Sequence, residues 1–456
     1  MPESRYDCIV IGSGPGGYVA AIRAAQLGMK TAVVEKDAIG GRCLNYACIP
    51  AKAVLRAADV LSEVRHAGDF GIRVAEPEVD FSGVAAHRDK VIKTLTGGVG
   101  MLLKKNKVDV IEGEAGLTAD GKVRVGDDAI EAGMIILATG SVANTILGLE
   151  WGDRVLDTAA AWLLDKRPDK LAVIGAGASG TEIASAYGRL GTETVLLEAL
   201  PQILPLEDGD IARTAAREIA KQNVKIVTGA KIEKAEVSDP GVTLDWGDGE
   251  QQFDYVVIAA GRSPDVEALG LADAGIETDE RGQIKVDGHQ MTSRDGVYAI
   301  GDIVPGPWLA HKASEEGVIA VEAAAGLDPH PLDHDAIPAA TFCYPQVASF
   351  GLTEEKAKEE GYDVAVGKVP MGAVGAPTVY GDRGGMIKII GDKKYGEILG
   401  AHVVSAKAAD LIEELVVAKE LEGGYPELAR TIHPHPAFAE VVLEAARATD
   451  GWLIHG

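Results

Sequence analysis

Short apolar runs that end in glycine-rich turns are the clearest feature of the hydrophobic pattern. The run CIVIG at residues 8–12 is typical of a buried strand, and a helical stretch and a second strand, TAVVEK, follow it. The run LAVIG at residues 171–175 starts a second copy of this plan, in which TVLLEA is the second strand. Each copy therefore predicts a strand, a glycine turn, a helix and a parallel strand.

The two copies match position by position at three glycines and one acid. Each residue of the second copy lies 163 positions after its counterpart, as 175 − 12 gives for the first glycine. In this fingerprint the first glycine allows a tight turn, the second lets a pyrophosphate approach the backbone, and the third lets helix and strand pack closely. The acid accepts hydrogen bonds from a ribose and would repel a 2′-phosphate, so the pattern predicts two dinucleotide sites, the second for NAD. The matched residues are Gly12, Gly14, Gly17 and Glu35, then Gly175, Gly177, Gly180 and Glu198.

Composition limits the kind of protein. A chain of 456 residues is too long for one compact core, so two or three domains are expected. The net charge of −25 argues against nucleic acid or an anionic membrane as a partner. The uncharged stretch at residues 133–149 is shorter than a membrane span. The first residues run at once into an apolar strand, and four cysteines are too few for a secreted disulfide framework, so we expect a cytoplasmic protein without a signal peptide.

Two of the cysteines, Cys43 and Cys48, lie five positions apart. A regular helix would separate them by ~7.5 Å along its axis, so a disulfide requires a distorted turn. Pro50 favours such a turn because it lacks a backbone N–H, and the regular helix is expected to begin after it. A disulfide in so short a loop stabilises a fold little and is easily reduced, and a zinc site with His433 and His435 has unusual spacing. The pair therefore favours a redox role over a crosslink or a metal site.

The order and spacing of several segments resemble the flavin-dependent disulfide reductases over essentially the whole chain. These segments are the duplicated glycine motif, GGRCLNYACIPAK, GDIVPGPWLAHKASEEG and HPHPAFAE. The resemblance implies an α/β fold with two Rossmann-like dinucleotide-binding domains, one for FAD and an inserted one for NAD, and a C-terminal α+β interface domain for dimerisation. The implied segments are 1–145 for the first part of the FAD domain, 146–268 for the NAD domain, 269–335 for the second FAD and central part, and 336–456 for the interface domain.

The resemblance also implies a reaction, the oxidation of dihydrolipoamide with FAD and NAD as cofactors and no metal. The partner is then the lipoyl-bearing domain of a 2-oxoacid dehydrogenase or glycine cleavage complex. The family works as homodimers whose active site is shared between subunits. An NAD(P)H-dependent reductase of another disulfide or of quinones is the alternative. Replacement of Cys43 by serine distinguishes a lipoamide enzyme, which would lose its activity, from a quinone reductase, which would keep its turnover.

The resemblance assigns individual roles at the reactive centre. Cys43 is the interchange thiol that meets the dithiol substrate, and Cys48 is the thiol that lies against the flavin. A thiol needs a base to become a nucleophile, and His435 is the expected base. Pro436 can start a helix and leave this histidine at its exposed end, where Glu440 holds the imidazole.

Other positions have roles that depend on the resemblance alone. Lys52 and Glu182 correspond to an ion pair near the reactive edge of the flavin, and Lys52 also contacts the cofactor. His433 is expected only to pack locally. The further positions that correspond to cofactor contacts are Ala115, Thr139, Gly140, Ser141, Asp302, Ala310, His311, Ile232 and Gly261.

Overall fold

The computed structural model describes residues 5–456, which form two compact units. The first unit comprises the residues up to Ala53, Gly83–Asn144 and Gly261–His334, and the second comprises Val54–Ser82, Thr145–Ala260 and Asp335–Gly456. The division into nucleotide and interface domains at residues 145, 268 and 335 stays a prediction.

The strands are short and run through the whole described chain. In chain order they are β1 (Arg5–Ile11), β2 (Thr31–Glu35), β3 (Asp109–Glu112), β4 (Ala115–Leu117), β5 (Val123–Val125), β6 (Asp128–Leu137), β7 (Ser141–Ala143), β8 (Val155–Asp157), β9 (Lys170–Ile174), β10 (Glu193–Glu198), β11 (Val224–Thr228), β12 (Lys234–Ser238), β13 (Gly241–Asp245), β14 (Glu250–Phe253), β15 (Tyr255–Ile258), β16 (Arg262–Pro264), β17 (Val297–Ala299), β18 (Ala339–Thr341), β19 (Gln346–Gly351), β20 (Val364–Pro370), β21 (Met386–Asp392) and β22 (Ile398–Ser405).

The helices alternate with the strands in most of the chain. They are α1 (Pro15–Gln26), α2 (Gly41–Asn45), α3 (Cys48–Arg65), α4 (Phe81–Lys105), α5 (Thr158–Trp162), α6 (Ala178–Arg189), α7 (Gly209–Ile219), α8 (Ala310–Ala324), α9 (Glu354–Glu359), α10 (Gly375–Val379), α11 (Ala408–Glu420), α12 (Tyr425–Leu428) and α13 (Glu440–Thr449). Short 3-10 turns cover Ala67–Phe70, Glu267–Leu269, Gly301–Ile303, His334–Ala336 and Met371–Ala373.

A seven-stranded sheet forms the core of the first unit. Its order is β3-β2-β1-β6-β5-β4, with β17 also paired to β6. Strand β1 runs parallel to β2 and β6, so Ile9 lies opposite Ala32 on one side and Ile135 on the other. Helices α1 and α8 pack closely, since a Cβ on Gly16 would lie 2.7 Å from Ala313 O. The first apolar run is therefore a central strand in the parallel part of this mixed sheet.

The second unit contains three sheets. The parallel order β11-β10-β9-β15-β8 repeats the strand–helix–strand plan around α6, with Ala172 opposite both Val195 and Val256. Strands β12-β13-β14 form a small antiparallel sheet. The order β18-β19-β22-β21-β20 forms a larger antiparallel sheet, on which α11 and α13 pack through a core that includes Ile387 and Leu415.

These sheets confirm the expected α/β class, with two Rossmann-like sheets and an α+β part near the C-terminus. The two glycine motifs follow the carboxyl ends of β1 and β9, which is where open α/β sheets bind ligands. Throughout residues 5–456, no helix combines the length and the apolar character that crossing a membrane requires.

Candidate active site

The first and third glycines of each motif close a turn that has no room for a side chain. Gly12 and Gly175 have φ values of +102° and +98°, a region that favours glycine. A Cβ on Gly12 would lie 2.3 Å from Ala138 O, and a Cβ on Gly175 would lie 2.5 Å from Ala259 O. A Cβ on the third glycine of either copy would lie 1.9 Å from the carbonyl oxygen of the first. The two turns therefore have the same geometry for the same steric reason.

The second glycine of each motif faces open space. Among residues 5–456, no heavy atom other than those of the chain neighbours lies within 4 Å of a Cβ built on Gly14 or Gly177. These glycines are the N-caps of α1 and α6, and no side chain caps either helix. The amides of the first helical turn and the positive end of the helix dipole can therefore bind an anion. Both turns fit the pyrophosphate of a dinucleotide.

The acid at the end of the second strand binds its own glycine turn. The carboxylates of Glu35 and Glu198 each accept two backbone N–H groups. One belongs to the glycine turn, 22 residues before the acid, and the other belongs to the residue two positions after the acid. A carboxylate has about four acceptor sites, so each acid keeps capacity for a ribose hydroxyl. The donors are Ser13 (2.9 Å) and Asp37 (2.9 Å) for Glu35, and Ala176 (2.7 Å) and Leu200 (2.9 Å) for Glu198.

The sequence motifs assign no role to Ser13, but the structure places it between two parts of the site. Its buried hydroxyl donates to Glu35 Oε2 at 2.6 Å and accepts the N–H of Gly40 at 3.1 Å. Ser13 therefore joins the glycine turn to the segment that precedes the cysteines. The matched position of the second copy is Ala176. This difference between two otherwise similar turns is the signal that could have found Ser13.

The two cysteines lie on successive helices, α2 and α3, beside the first glycine turn. Gly41 packs so closely on this turn that a Cβ would lie 2.8 Å from Gly14 Cα. Cys48 is the first residue of α3, so the expectation that the helix begins after Pro50 is wrong. Proline is tolerated in a first helical turn because the N–H that it lacks has no helical partner there.

Cys43 is partly buried and forms a hydrogen bond with Cys48. Both sulfurs are present as thiols. The hydrogen bond to Cys48, together with burial, raises the pKa of Cys43, whereas the ammonium group of Lys52 acts to lower it. Burial and the nearby Cys43 raise the pKa of Tyr18. Cys43 therefore needs a general base to become a thiolate.

His435 and Glu440 form a hydrogen-bonded pair in the second unit. His435 Nδ1 lies 2.8 Å from Glu440 Oε1, and the histidine side chain is 76% exposed. Glu440 Oε2 accepts the N–H of Ala437 at 2.9 Å. Burial acts to raise the pKa of Glu440, but the hydrogen bonds from Ala437 and His435 lower it overall. An imidazole held at one nitrogen by a carboxylate can take a proton at the other.

The segment just before α13 is a turn and not a helix. α13 begins at Glu440, so the expectation that Pro436 starts it is wrong. The Glu440 carboxylate binds the N–H of Ala437 and so holds these residues as a turn. Phe438 packs edge-on against Tyr380, with ring centroids 5.5 Å apart, and fixes the turn against α10.

His433 is held by specific hydrogen bonds within the second unit. Its Nε2 lies 2.7 Å from Glu414 Oε1 on α11, and its Nδ1 lies 2.9 Å from Thr431 O. Only 5% of its side chain is exposed. The hydrogen bond to Glu414 raises the pKa of His433. His433 therefore packs locally, as expected, and in addition forms a hydrogen-bonded pair with the ionisable side chain of Glu414.

Lys52 and Glu182 belong to different compact units. Lys52 is on α3, within electrostatic reach of Cys43. Glu182 is buried on α6, and its Oε1 accepts the N–H of Phe342 at 2.8 Å. The ion pair between Lys52 and Glu182 stays a prediction.

A buried ion pair supports the turn that carries Asp302. Lys312 Nζ lies 2.8 Å from Glu316 Oε1, and both side chains are buried. Glu316 Oε2 accepts the N–H of Gly301 at 2.8 Å, and Lys312 donates to the Gly301 carbonyl at 3.2 Å. Ser141 donates to Asp302 Oδ2 at 2.5 Å. Two residues predicted to contact a cofactor, Ser141 and Asp302, are thus brought together.

Most of the other predicted cofactor residues lie at or next to the ends of strands and helices. Their contacts with cofactors stay predictions. Ala115 starts β4, Thr139 and Gly140 follow β6, Ala310 and His311 start α8, Ile232 packs on the core of the second unit, and Gly261, with φ of +99°, precedes β16.

Comparisons with known proteins agree over nearly the whole chain. The pyridine nucleotide-disulphide oxidoreductase model matches residues 6–317, and the dimerisation domain of the same family matches residues 337–446. The dihydrolipoyl dehydrogenase of Rhizobium etli is 44% identical over an alignment of 483 positions, gaps included, which covers 100% of both proteins. That of Bacillus subtilis is 44% identical over 460 residues, with 98% of this chain and 97% of the relative covered.

Two solved structures resemble this fold over nearly its full length. The HOCl-induced flavoprotein disulfide reductase RclA of Escherichia coli has a TM-score of 0.87 and 27% identity, covering 97% of this chain and 99% of its own. LpdA of Mycobacterium tuberculosis has a TM-score of 0.88 and 25% identity, covering 98% and 99%. The chain therefore belongs to the pyridine nucleotide-disulphide oxidoreductase family, whose members use FAD and NAD(H).

Proposed function

We propose that the chain is a dihydrolipoyl dehydrogenase, which oxidises protein-bound dihydrolipoamide and passes the electrons to NAD⁺. Relatives with 44% identity over the whole chain have that name. The main supporting observation is the pair Cys43 and Cys48, held in hydrogen-bonding contact beside the first glycine turn. A cysteine pair in this position can exchange electrons with a second dithiol and with a cofactor bound at the turn.

The two glycine turns are proposed to bind different cofactors. The first turn and Glu35 hold FAD, and the second turn and Glu198 hold NAD. Residues 196–202 contain no arginine to bind a 2′-phosphate, which supports NAD over NADP. FAD, when bound, can accept two electrons and can pass them on as hydride.

The chemistry at the cysteines is thiol–disulfide exchange. The first substrate thiolate attacks Cys43 of the oxidised pair, and the S–S bond breaks to release Cys48 as a thiolate. The second substrate thiol, once deprotonated, then attacks the substrate sulfur of the mixed disulfide, so the bond to Cys43 breaks, Cys43 leaves as a thiolate and lipoamide forms. Two substrate thiols become one disulfide, one protein disulfide becomes two thiols, and the two substrate protons pass to the protein.

His435 is proposed to move these protons. The raised pKa of Cys43 and the thiol form of the substrate both require a base. Glu440 holds Nδ1 at 2.8 Å and stabilises the charged imidazole, which leaves Nε2 as the reacting nitrogen. In the proposed homodimer, the dimerisation domain at residues 337–446 presents this imidazole to the cysteine pair of the partner subunit.

Lys52 and Glu182 are proposed to pair beside the flavin. Lys52 already favours the thiolate of Cys43, and a cation there stabilises negative charge that forms on sulfur. We further propose that the substrate arrives on the lipoyl domain of a 2-oxoacid dehydrogenase or glycine cleavage complex, in the cytoplasm.

The variant Cys43→Ser tests this function. With the FAD-loaded protein, oxidation of dihydrolipoamide by NAD⁺ is expected to fall by roughly 10³-fold or more, because serine cannot form the disulfide with Cys48 that the substrate thiolate attacks. Electron transfer from NADH to a quinone is expected to remain, since it needs no thiol. Cys8→Ala, which removes a buried core thiol, is the matched control and keeps both activities. Full dihydrolipoamide turnover in Cys43→Ser would refute the proposal.

A further inference from the structure

A cavity of about 400 Å³ lies in the second unit and shares no residue with the site described above. Helix α7 forms one wall, and strands β20 and β21 with the loop before β21 form the other. Its volume falls within the range of small-molecule sites, about 300–1,000 Å³. The charged residues that line it are Arg217, Glu218, Lys221, Lys368 and Arg383.

Four cations therefore surround this cavity in a chain whose net charge is −25. The two lysines are neutralised by neighbouring acids. Lys221 pairs with Glu218 at 2.7 Å, and Lys368 pairs with Asp210 at 2.6 Å. The uncompensated charge of the cavity thus lies on its arginines.

The two arginines have neutral partners only. Arg217 donates to Thr214 Oγ1 at 3.1 Å, and Arg383 donates to Thr378 Oγ1 at 3.2 Å. Across residues 5–456, neither guanidinium forms an ion pair with a carboxylate. Two such groups on opposite walls of one cavity attract an anion, and their planar sets of N–H donors match the oxygens of a phosphate.

We propose that this cavity binds a small molecule with a single phosphate group, held between Arg217 and Arg383. The pairing of Lys221 with Glu218 leaves two uncompensated positive charges, those of the arginines, which one phosphate dianion matches, so a phosphate monoester fits better than a polyphosphate. A Cβ on Gly384 would lie 3.1 Å from the Glu218 carboxyl group, so the two walls of the cavity approach each other closely at this glycine. The site is separate from the glycine turns and goes beyond the proposed reaction.

Isothermal titration calorimetry with inorganic phosphate tests this site. The protein is used as the FAD holoenzyme with saturating NAD⁺, so that the glycine turns are filled, at an ionic strength of about 0.15 M. We expect binding to wild type, at least tenfold weaker binding to the double variant Arg217→Gln/Arg383→Gln, and weaker binding of pyrophosphate than of phosphate.

The matched control is Arg73→Gln/Arg281→Gln, which removes the same two charges from exposed positions outside the cavity. It is expected to bind phosphate as wild type does. Both double variants are expected to keep full dihydrolipoamide activity, which shows that they fold. The proposal would be overturned if wild type did not bind phosphate. It would also be overturned if both double variants bound phosphate as tightly as wild type, or if both bound it equally weakly.

Discussion

At the scale of single residues, side chains of the same type have different chemical properties because their surroundings differ. Cys43 contacts a second thiol and responds to Lys52, whereas burial raises the pKa of Cys8 to about 12 and leaves it a core residue. His435 is exposed, whereas His433, two positions earlier, lies buried against a carboxylate. The chemistry of each residue therefore follows from what it contacts.

The pair of His433 and Glu414 predicts a pH dependence of stability. Their hydrogen bond raises the pKa of His433 above its ordinary value of about 6.5, so the folded state binds the proton more tightly than the unfolded state. The stabilisation is complete below pH ~6.5 and is lost as pH rises through the raised pKa. In urea unfolding, the loss of free energy of unfolding in Glu414→Gln is expected to shrink as pH rises.

The neighbouring exposed acid provides the control for this experiment. Glu413→Gln removes the same charge one position away on α11, and its effect is expected to be small and independent of this titration. An effect of Glu414→Gln that stays constant from about pH 6 to about pH 9 would contradict the assignment.

The partner of His433 could not be predicted from the sequence. Glu414 is 19 residues away, and the contact depends on how α11 packs on the sheet. Glu440 could be predicted as the partner of His435 because only five residues separate them. Local spacing therefore reveals pairs within one turn, whereas pairs between elements require the fold.

At the scale of elements, the strand–glycine turn–helix unit could be predicted because its causes are local. Apolar runs predict the strands, and glycines predict the turns. Helix starts were predicted less well, because a proline marks the region of a helix start without fixing its position. Pro50 is the third residue of α3, whereas Pro436 lies outside α13.

The glycine turn predicts different outcomes for neighbouring alanine substitutions. Gly17→Ala is expected to prevent stable folding, because its Cβ would lie 1.9 Å from Gly12 O. Gly14→Ala is expected to fold but to bind FAD more weakly, because its Cβ enters open space that the pyrophosphate needs. Thermal unfolding and FAD titration of the apoprotein measure the two effects. Gly97→Ala on α4, also in open space, is the control, and FAD affinity in Gly14→Ala equal to that of the control would contradict the prediction.

At the scale of the whole molecule, ion pairs between residues that are distant in sequence hold two layers of the second unit together. Lys388 on β21 is buried, and its Nζ lies 2.7 Å from Asp208, 3.0 Å from Asp210 and 2.7 Å from Glu354. Asp208 caps α7, 180 residues before Lys388. The network joins a helix of the parallel layer to the antiparallel sheet. No sequence pattern indicates it, because the partners meet only in the complete fold.

The substitution Lys388→Met tests this network. It is expected to lower the free energy of unfolding by about 3–5 kcal/mol, because the buried carboxylate of Asp208 loses its counter-charge. Lys393→Met is the control, since Lys393 is exposed and pairs with the exposed Asp363 at 2.7 Å; its expected cost is about 0–1 kcal/mol. Chemical denaturation compares the two variants, and similar losses would show that the network contributes little.

The solvent-exposed imidazole of His435 has a consequence for mixtures of two inactive variants. If each cysteine pair borrows its proton acceptor from the neighbouring copy, a Cys43→Ser chain and a His435→Gln chain are each inactive alone. A hybrid of the two contains one reaction centre with both wild-type groups. When equal amounts of the two variant chains recombine at random, half of the dimers are hybrids, and one of the two reaction centres in each hybrid is active. The mixture is therefore expected to recover about a quarter of the wild-type rate.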